Sequence, residues 1–144
     1  MTHAVAEPVK APLNLPAVIM FLVTTVAALA LIPVFLWFHG TEAGPWIFFG
    51  FTMYATGLSI TAGYHRLWSH RAYEAHWSLR LFYMLFGAMA LQNSILVWAS
   101  THRIHHKDVD DVDHDPYSIK RGFLYAHIGW MLRDYPSGAT DFSN

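Results

Sequence analysis

From Leu15 to Phe38 the chain reads LPAVIMFLVTTVAALALIPVFLWF, a run without a single charged residue. A bilayer core about 30 Å thick is crossed by about 20 apolar residues in a helix, so residues 15–38 predict a membrane-spanning helix. Pro33 lies inside the run, and membrane helices tolerate the kink it introduces. The run exceeds the about 7–15 apolar residues of a signal-peptide core, and no small-residue cleavage site follows it, so a retained span is expected. The polar HGTEAG separates it from a second apolar run, PWIFFGFTMYATGLSITAGY, residues 45–64, with Pro45 placed for a first helical turn. This run is also long enough to cross. Ahead of both, residues 1–14 mix prolines with small and polar groups without any period, which predicts a disordered lead-in.

The third apolar stretch, residues 79–99, is ambiguous by hydropathy, and the histidines around it decide its course. HRLWSH occupies residues 65–70 and HRIHH residues 102–106. If the stretch between them crossed the membrane, the two boxes would be separated by about 30 Å of hydrocarbon, whereas metal–nitrogen bonds are about 2 Å. Gln92, Asn93 and Ser94 also interrupt the apolar run. The expectation is therefore an interfacial helix over about residues 78–100, starting near Ser78, that returns the second box beside the first. Arg66, Arg71, Arg80, Arg103, Lys107, Lys120, Arg121 and Arg133 all follow the second span, and the loop between the spans has no basic residue. The positive-inside rule then places both termini and both boxes on the cytoplasmic side. The predicted fold class is an all-α integral membrane protein, with two transmembrane helices, an interfacial helix and a cytoplasmic histidine-box region forming one domain over residues 15–144.

Composition narrows the chemistry. The chain is 54% hydrophobic and 13% charged, well below the about 25% charge of soluble domains. Its net charge of −1 gives no electrostatic reason for a nucleic-acid partner. With no cysteine, disulfides, cysteine-ligated zinc and cysteine-ligated iron–sulfur clusters are excluded, and any metal depends on nitrogen and oxygen ligands. At about 100° per helical residue, His102, His105 and His106 share one arc about 100° wide. His65 and His70 are five apart, about 140° around an α-helix. They share an ion only if the helix end unwinds; otherwise each serves a different metal, and the spacing points to two metals. Imidazoles without sulfur, with open positions, suit oxygen chemistry at iron.

His3, His39 and His76 read as interfacial anchors rather than ligands. The acidic run DVDDVDHD lacks the glycine and the glutamate that an EF-hand needs at its sixth and twelfth positions. Asp110, Asp111, Asp113 and Asp115 either orient ligating imidazoles or form a solvated loop. Arg66 and Arg71 either snorkel at the interface or reach a substrate phosphate.

ITAGYHRLWSHRAY and QNSILVWASTHRIHHKDVDDVDHDPYSIKRGFLYAHIGWML resemble the membrane fatty acyl desaturases, especially the stearoyl-CoA type, over about residues 45–136. The resemblance implies an oxygen-dependent oxidoreductase with two iron ions that leaves a cis double bond in a saturated acyl chain, typically between carbons nine and ten. It implies iron ligation by His65, His70, His102, His105 and His106, a substrate path lined by Gln92 and Asn93, and no ligand role for His127. The acyl group would arrive on CoA, acyl carrier protein or lipid. Electrons would come from a separate carrier protein and its reductase, since the chain carries no haem, flavin or cysteine-cluster motif. The membrane would be a bacterial plasma membrane or the endoplasmic reticulum.

The family's metal centre also uses a further HxxHH box, an isolated histidine and a second pair of spans. After HRIHH only His114 and His127 remain, so the expectation is the N-terminal portion of a desaturase, inactive alone. The alternatives are a related histidine-box hydroxylase, a non-catalytic membrane protein binding a metal or haem, and a fragment that docks against another desaturase chain.

Overall fold

In the computed structural model, residues 11–140 and 142–143 are described; they are helical apart from loops and one isolated bridge between Leu13 and Arg133. The first helix, α1, spans Leu15–His39. Asn14 caps it, its side-chain oxygen accepting the Ala17 N–H at 3.1 Å. None of its residues is buried against the rest of the chain, although its apolar window has a mean hydropathy of 2.6. An apolar surface all round a helix demands an apolar solvent. Among the described residues α1 is the one helix both long and apolar enough to cross a membrane.

The second apolar run is helical throughout but not uniform. An α-helix, α2, covers Ala43–Leu58 and passes without a break into a π-helical segment, Ser59–Ser69. Its hydroxyls are satisfied internally: Thr52, Thr56 and Ser59 donate to the carbonyls of Phe48, Thr52 and Ala55 at 2.9, 2.7 and 2.7 Å. Such back-bonding lets polar residues sit in an apolar helix without exposed donors.

The stretch expected as one interfacial helix over residues 78–100 is two. Helix α3 is Trp77–Met89 and α4 is Ile95–Lys107. Between them Leu91 takes a left-handed φ of 55°, and Ser94 restarts the helix by accepting the Val97 N–H at 3.4 Å. The polar Gln92-Asn93-Ser94 triplet thus acts as a turn and a cap rather than as an interruption within one helix. Each helix has 13 residues, about 20 Å of length, which is short of the about 30 Å of a bilayer core.

Two glycine–tyrosine exchanges bring α3 against the π segment. Gly63 leaves room for Tyr83, whose Cβ would lie 2.7 Å from an added methyl group, and Gly87 leaves room for the ring of Tyr64. Tyr64 and Tyr83 are both buried there, with Leu67 and Ala99 beside them. Helix α4 packs on the other side of the segment, where the Ser69 hydroxyl donates to the Ala99 carbonyl at 3.4 Å.

Residues 1–10 of the lead-in fall outside the described residues, but its last four are tied down. Asn14 N–H donates to the Leu132 carbonyl and Asp134 N–H to the Pro12 carbonyl, each at 3.0 Å, and the Arg133 guanidinium reaches the Ala11 carbonyl at 2.6 Å. This clasp joins the entrance of α1 to the segment that follows α4, so both lie at one end of the molecule.

Candidate metal centre

The π segment solves the five-residue spacing of HRLWSH. In a π-helix each N–H bonds the carbonyl five residues earlier, and His70 N–H donates to the His65 carbonyl at 3.0 Å. Residues five apart are then about one turn apart, and the His65 and His70 rings lie 4.6 Å from centre to centre. The helix neither unwinds nor separates the pair; it widens. Helix α4 supplies His102 and His106, four apart on one face, with ring centres 4.5 Å apart.

The ligand atoms of His65, His70, His102 and His106 all lie within 4.8 Å of one another. Across the two segments the Nε2 atoms of His70 and His102 lie 3.2 Å apart. Neighbouring donors around one ion, each about 2 Å from it, stand about 3 Å apart, so this donor set fits a metal. His105 stands beside the group, its ring 5.5 Å from that of His106, and its Nδ1 is paired with Asp115 Oδ1 at 2.8 Å.

A second layer surrounds His102. The indole of Trp98 stacks on it at 4.7 Å and 23°, and that indole N–H donates to Gln92 Oε1 at 2.6 Å. Gln92 therefore reaches the cluster through Trp98, while Asn93 is exposed in the same turn. On the other side the Tyr117 hydroxyl meets His102 Nδ1 at 3.2 Å, and the Tyr117 ring lies 4.3 Å from His105. Trp98 lies one helical turn before His102 and Tyr117 eleven residues after His106, and neither carries a further signal in the sequence.

His3 lies outside the described residues, and the other described histidines are employed elsewhere. His76 Nδ1 accepts the Ser78 N–H at 3.4 Å as the cap of α3, His39 stacks on Phe35 at 4.9 Å, and His127 Nδ1 lies 3.1 Å from the Phe123 carbonyl. The acidic run divides by residue. Asp111 accepts from Asp113 N–H at 2.8 Å and His114 N–H at 3.0 Å in an exposed turn, whereas Asp115 is fully buried against His105. Arg71 flanks, with Arg103, an apolar groove of about 530 Å³ walled by Leu67, Ile95, Leu96 and Ala99; Arg66 is exposed outside that lining.

Burial opposes protonation of His65, His102 and His106. Burial, reinforced by the four neighbouring imidazoles, pushes His102 down to about 3. His65 and His106 are lowered too, first by burial and then by adjacent histidines. Neutral imidazole is the form that binds a metal. Because the folded value of His102 lies below the unfolded value of 6.5, the unfolded chain takes up protons first as pH falls. The metal-free protein should keep its full stability above pH about 6.5 and lose it progressively toward pH about 3. Denaturation curves at pH 8, 7 and 5 check this: the first two should coincide and the third should shift to lower stability. Three coincident curves would be incompatible with the buried, neutral cluster.

No protein-family model matches the chain. It is similar to acyl-CoA desaturase 1 of Saccharomyces cerevisiae, 58% identical over 76 residues that cover 53% of the chain and 15% of that protein. Acyl-CoA Delta-9 desaturase of Acheta domesticus is 40% identical over 131 residues, 90% of the chain and 36% of the relative. Stearoyl-CoA desaturase of Capra hircus is 46% identical over 100 residues, 66% of the chain and 27% of the relative. The chain thus spans between 15% and 36% of the length of these curated relatives.

Proposed function

The chain belongs to the acyl-CoA desaturase family, and from that premise we propose that it serves the oxygen-dependent desaturation of a saturated fatty acyl-CoA, placing a cis double bond at the Δ9 position. The observation that carries this reading is the meeting of four imidazoles from two separate helical segments at donor spacings that fit a metal. His65, His70, His102 and His106 would hold iron, with His105 beside them completing this chain's share of a two-ion set. Bound iron supplies the oxidising power for removing hydrogen from an unactivated methylene, drawn from dioxygen and two electrons of an external donor. The two hydrogens leave as water, together with two protons from solvent.

The chain's own residues hold the geometry for this chemistry. The π segment and α4 fix the imidazoles, and Trp98 covers one face of His102 and shields it from water. The Gln92 to Trp98 hydrogen bond couples the turn between α3 and α4 to that face, which supports a place for Gln92 and Asn93 along the substrate path. Helix α1 would span the bilayer, and α2 with the start of the π segment would span back. Both termini and both boxes would then face the cytoplasm of a bacterial cell or the cytoplasmic side of the endoplasmic reticulum. Electrons would be delivered there by a separate carrier protein and reductase.

The test uses membranes carrying the open reading frame that contains this sequence, given oxygen, a reduced carrier and stearoyl-CoA. The expected product has lost two hydrogens, with the double bond between carbons nine and ten. A product that has gained one oxygen would instead identify a hydroxylase, and unchanged substrate would remove the proposal.

A further inference from the structure

Asp115 has no exposed surface, and a buried carboxylate is tolerated only when its oxygens are fully engaged. Its Oδ1 accepts from His105 Nδ1 at 2.8 Å and from the Tyr117 N–H at 3.1 Å, and its Oδ2 accepts the Asp110 N–H at 2.9 Å. Asp110 adopts a left-handed φ of 61° in making that last bond, a conformation aspartate takes more readily than most non-glycine residues. Two of the three partners are backbone amides, which can only donate. The carboxylate is thus an acceptor throughout, and the proton between it and His105 belongs on Nδ1.

An imidazole protonated at Nδ1 has its lone pair on Nε2. Asp115 also seats Tyr117 by holding its N–H, and the Tyr117 hydroxyl meets His102 at Nδ1, while His102 Nε2 faces His70. One loop therefore addresses the outward nitrogen of two box histidines. Resting on the reading of the histidines as metal ligands, we infer that Asp115 is a positioning residue: it fixes His105 in the Nδ1–H tautomer, leaving its Nε2 as the donor, and by holding the Tyr117 N–H it seats the hydroxyl that meets His102. The acidic run that fails as a calcium loop is, at this one residue, the outer support of the histidine set.

Nitrogen-15 NMR of the metal-free full chain in detergent reads the tautomer of each imidazole directly, and cobalt(II) titration of the same sample reads affinity. In the wild type the proton should reside on Nδ1 of His105. Asp115→Ala should release His105 toward Nε2–H and weaken cobalt(II) binding about 10–100-fold; Tyr117→Phe should alter the signal of His102 and leave that of His105 in place. A wild-type His105 protonated on Nε2 overturns the inference without any variant, so a poorly folding Asp115→Ala does not protect it. An Asp115→Ala protein with unchanged tautomer and unchanged affinity overturns it as well. If the wild-type His105 is the Nδ1–H tautomer but the protein binds no cobalt(II), the metal reading fails while the tautomer assignment to Asp115 holds.

Discussion

Replacing His102 by alanine should remove metal binding and desaturation together. His102 is the hub of the cluster: its ring centre lies 4.6 Å from His65, 5.2 Å from His70, 4.5 Å from His106 and 6.1 Å from His105. It is also the imidazole whose protonation is most strongly opposed, at about 3, so it presents a lone pair at any working pH. Loss of an outer hydrogen-bond partner of a metal ligand typically costs about 10–100-fold in affinity or activity. Loss of the central ligand should exceed that range and leave activity at background. Metal content after dialysis and product formation in membranes are the two readouts. His127→Ala makes the comparison, because that side chain pairs with the Phe123 carbonyl of its own helix and should retain both. A His102→Ala protein that keeps its metal would show that the imidazoles meet for another reason.

The second large effect is expected far from any ligand. A methyl group on Gly87 would collide with the Tyr64 ring, meeting Cε1 and, at 2.9 Å, Cζ. That ring has little room to swing, since it stands edge-on to Trp68 at 5.8 Å and to Trp98 at 6.1 Å. Trp98 in turn stacks on His102. Overpacking costs about 1–3 kcal/mol, against the about 1 kcal/mol that alanine gains over glycine within a helix. The clash is with confined aromatic carbons, so the upper end applies and Gly87→Ala should destabilise by about 2 kcal/mol. Because the strain passes through Trp98, metal affinity should fall in the same variant. Gly57→Ala, where nothing lies within 4 Å of the added carbon, should do neither. Equal stability of the two variants would mean that the α3 to π-segment contact does not set the site.

Much of this arrangement is legible in the chain itself. An uncharged apolar run such as residues 15–38 predicts a continuous helix, and α1 matches it to within a residue at its end. The i, i+4 placement of His102 and His106 survives because α4 is a regular helix. The HRLWSH spacing misleads for the same reason: five residues are a mismatch on an α-helix and a match on a π-helix, and hydropathy carries no mark of which backbone forms. The wider turn coincides with tertiary contacts that a local sequence window does not contain, Tyr83 against Gly63 and the Ser69 bond to α4. The break at Leu91 was visible only as a polar triplet, and a left-handed leucine has no composition signal. Four neighbouring aspartates look alike in sequence; burial alone separates Asp115 from the solvated turn of Asp111.

X-ray absorption at the iron edge, on iron-loaded protein, reads the atoms around the metal. Imidazole nitrogens at about 2 Å are expected, and that nitrogen shell should shrink sharply when His65, His70, His102 and His106 are all replaced by alanine. A spectrum described by oxygen ligands alone, or one unaltered in the fourfold variant, would contradict the assignment of these histidines as the metal centre.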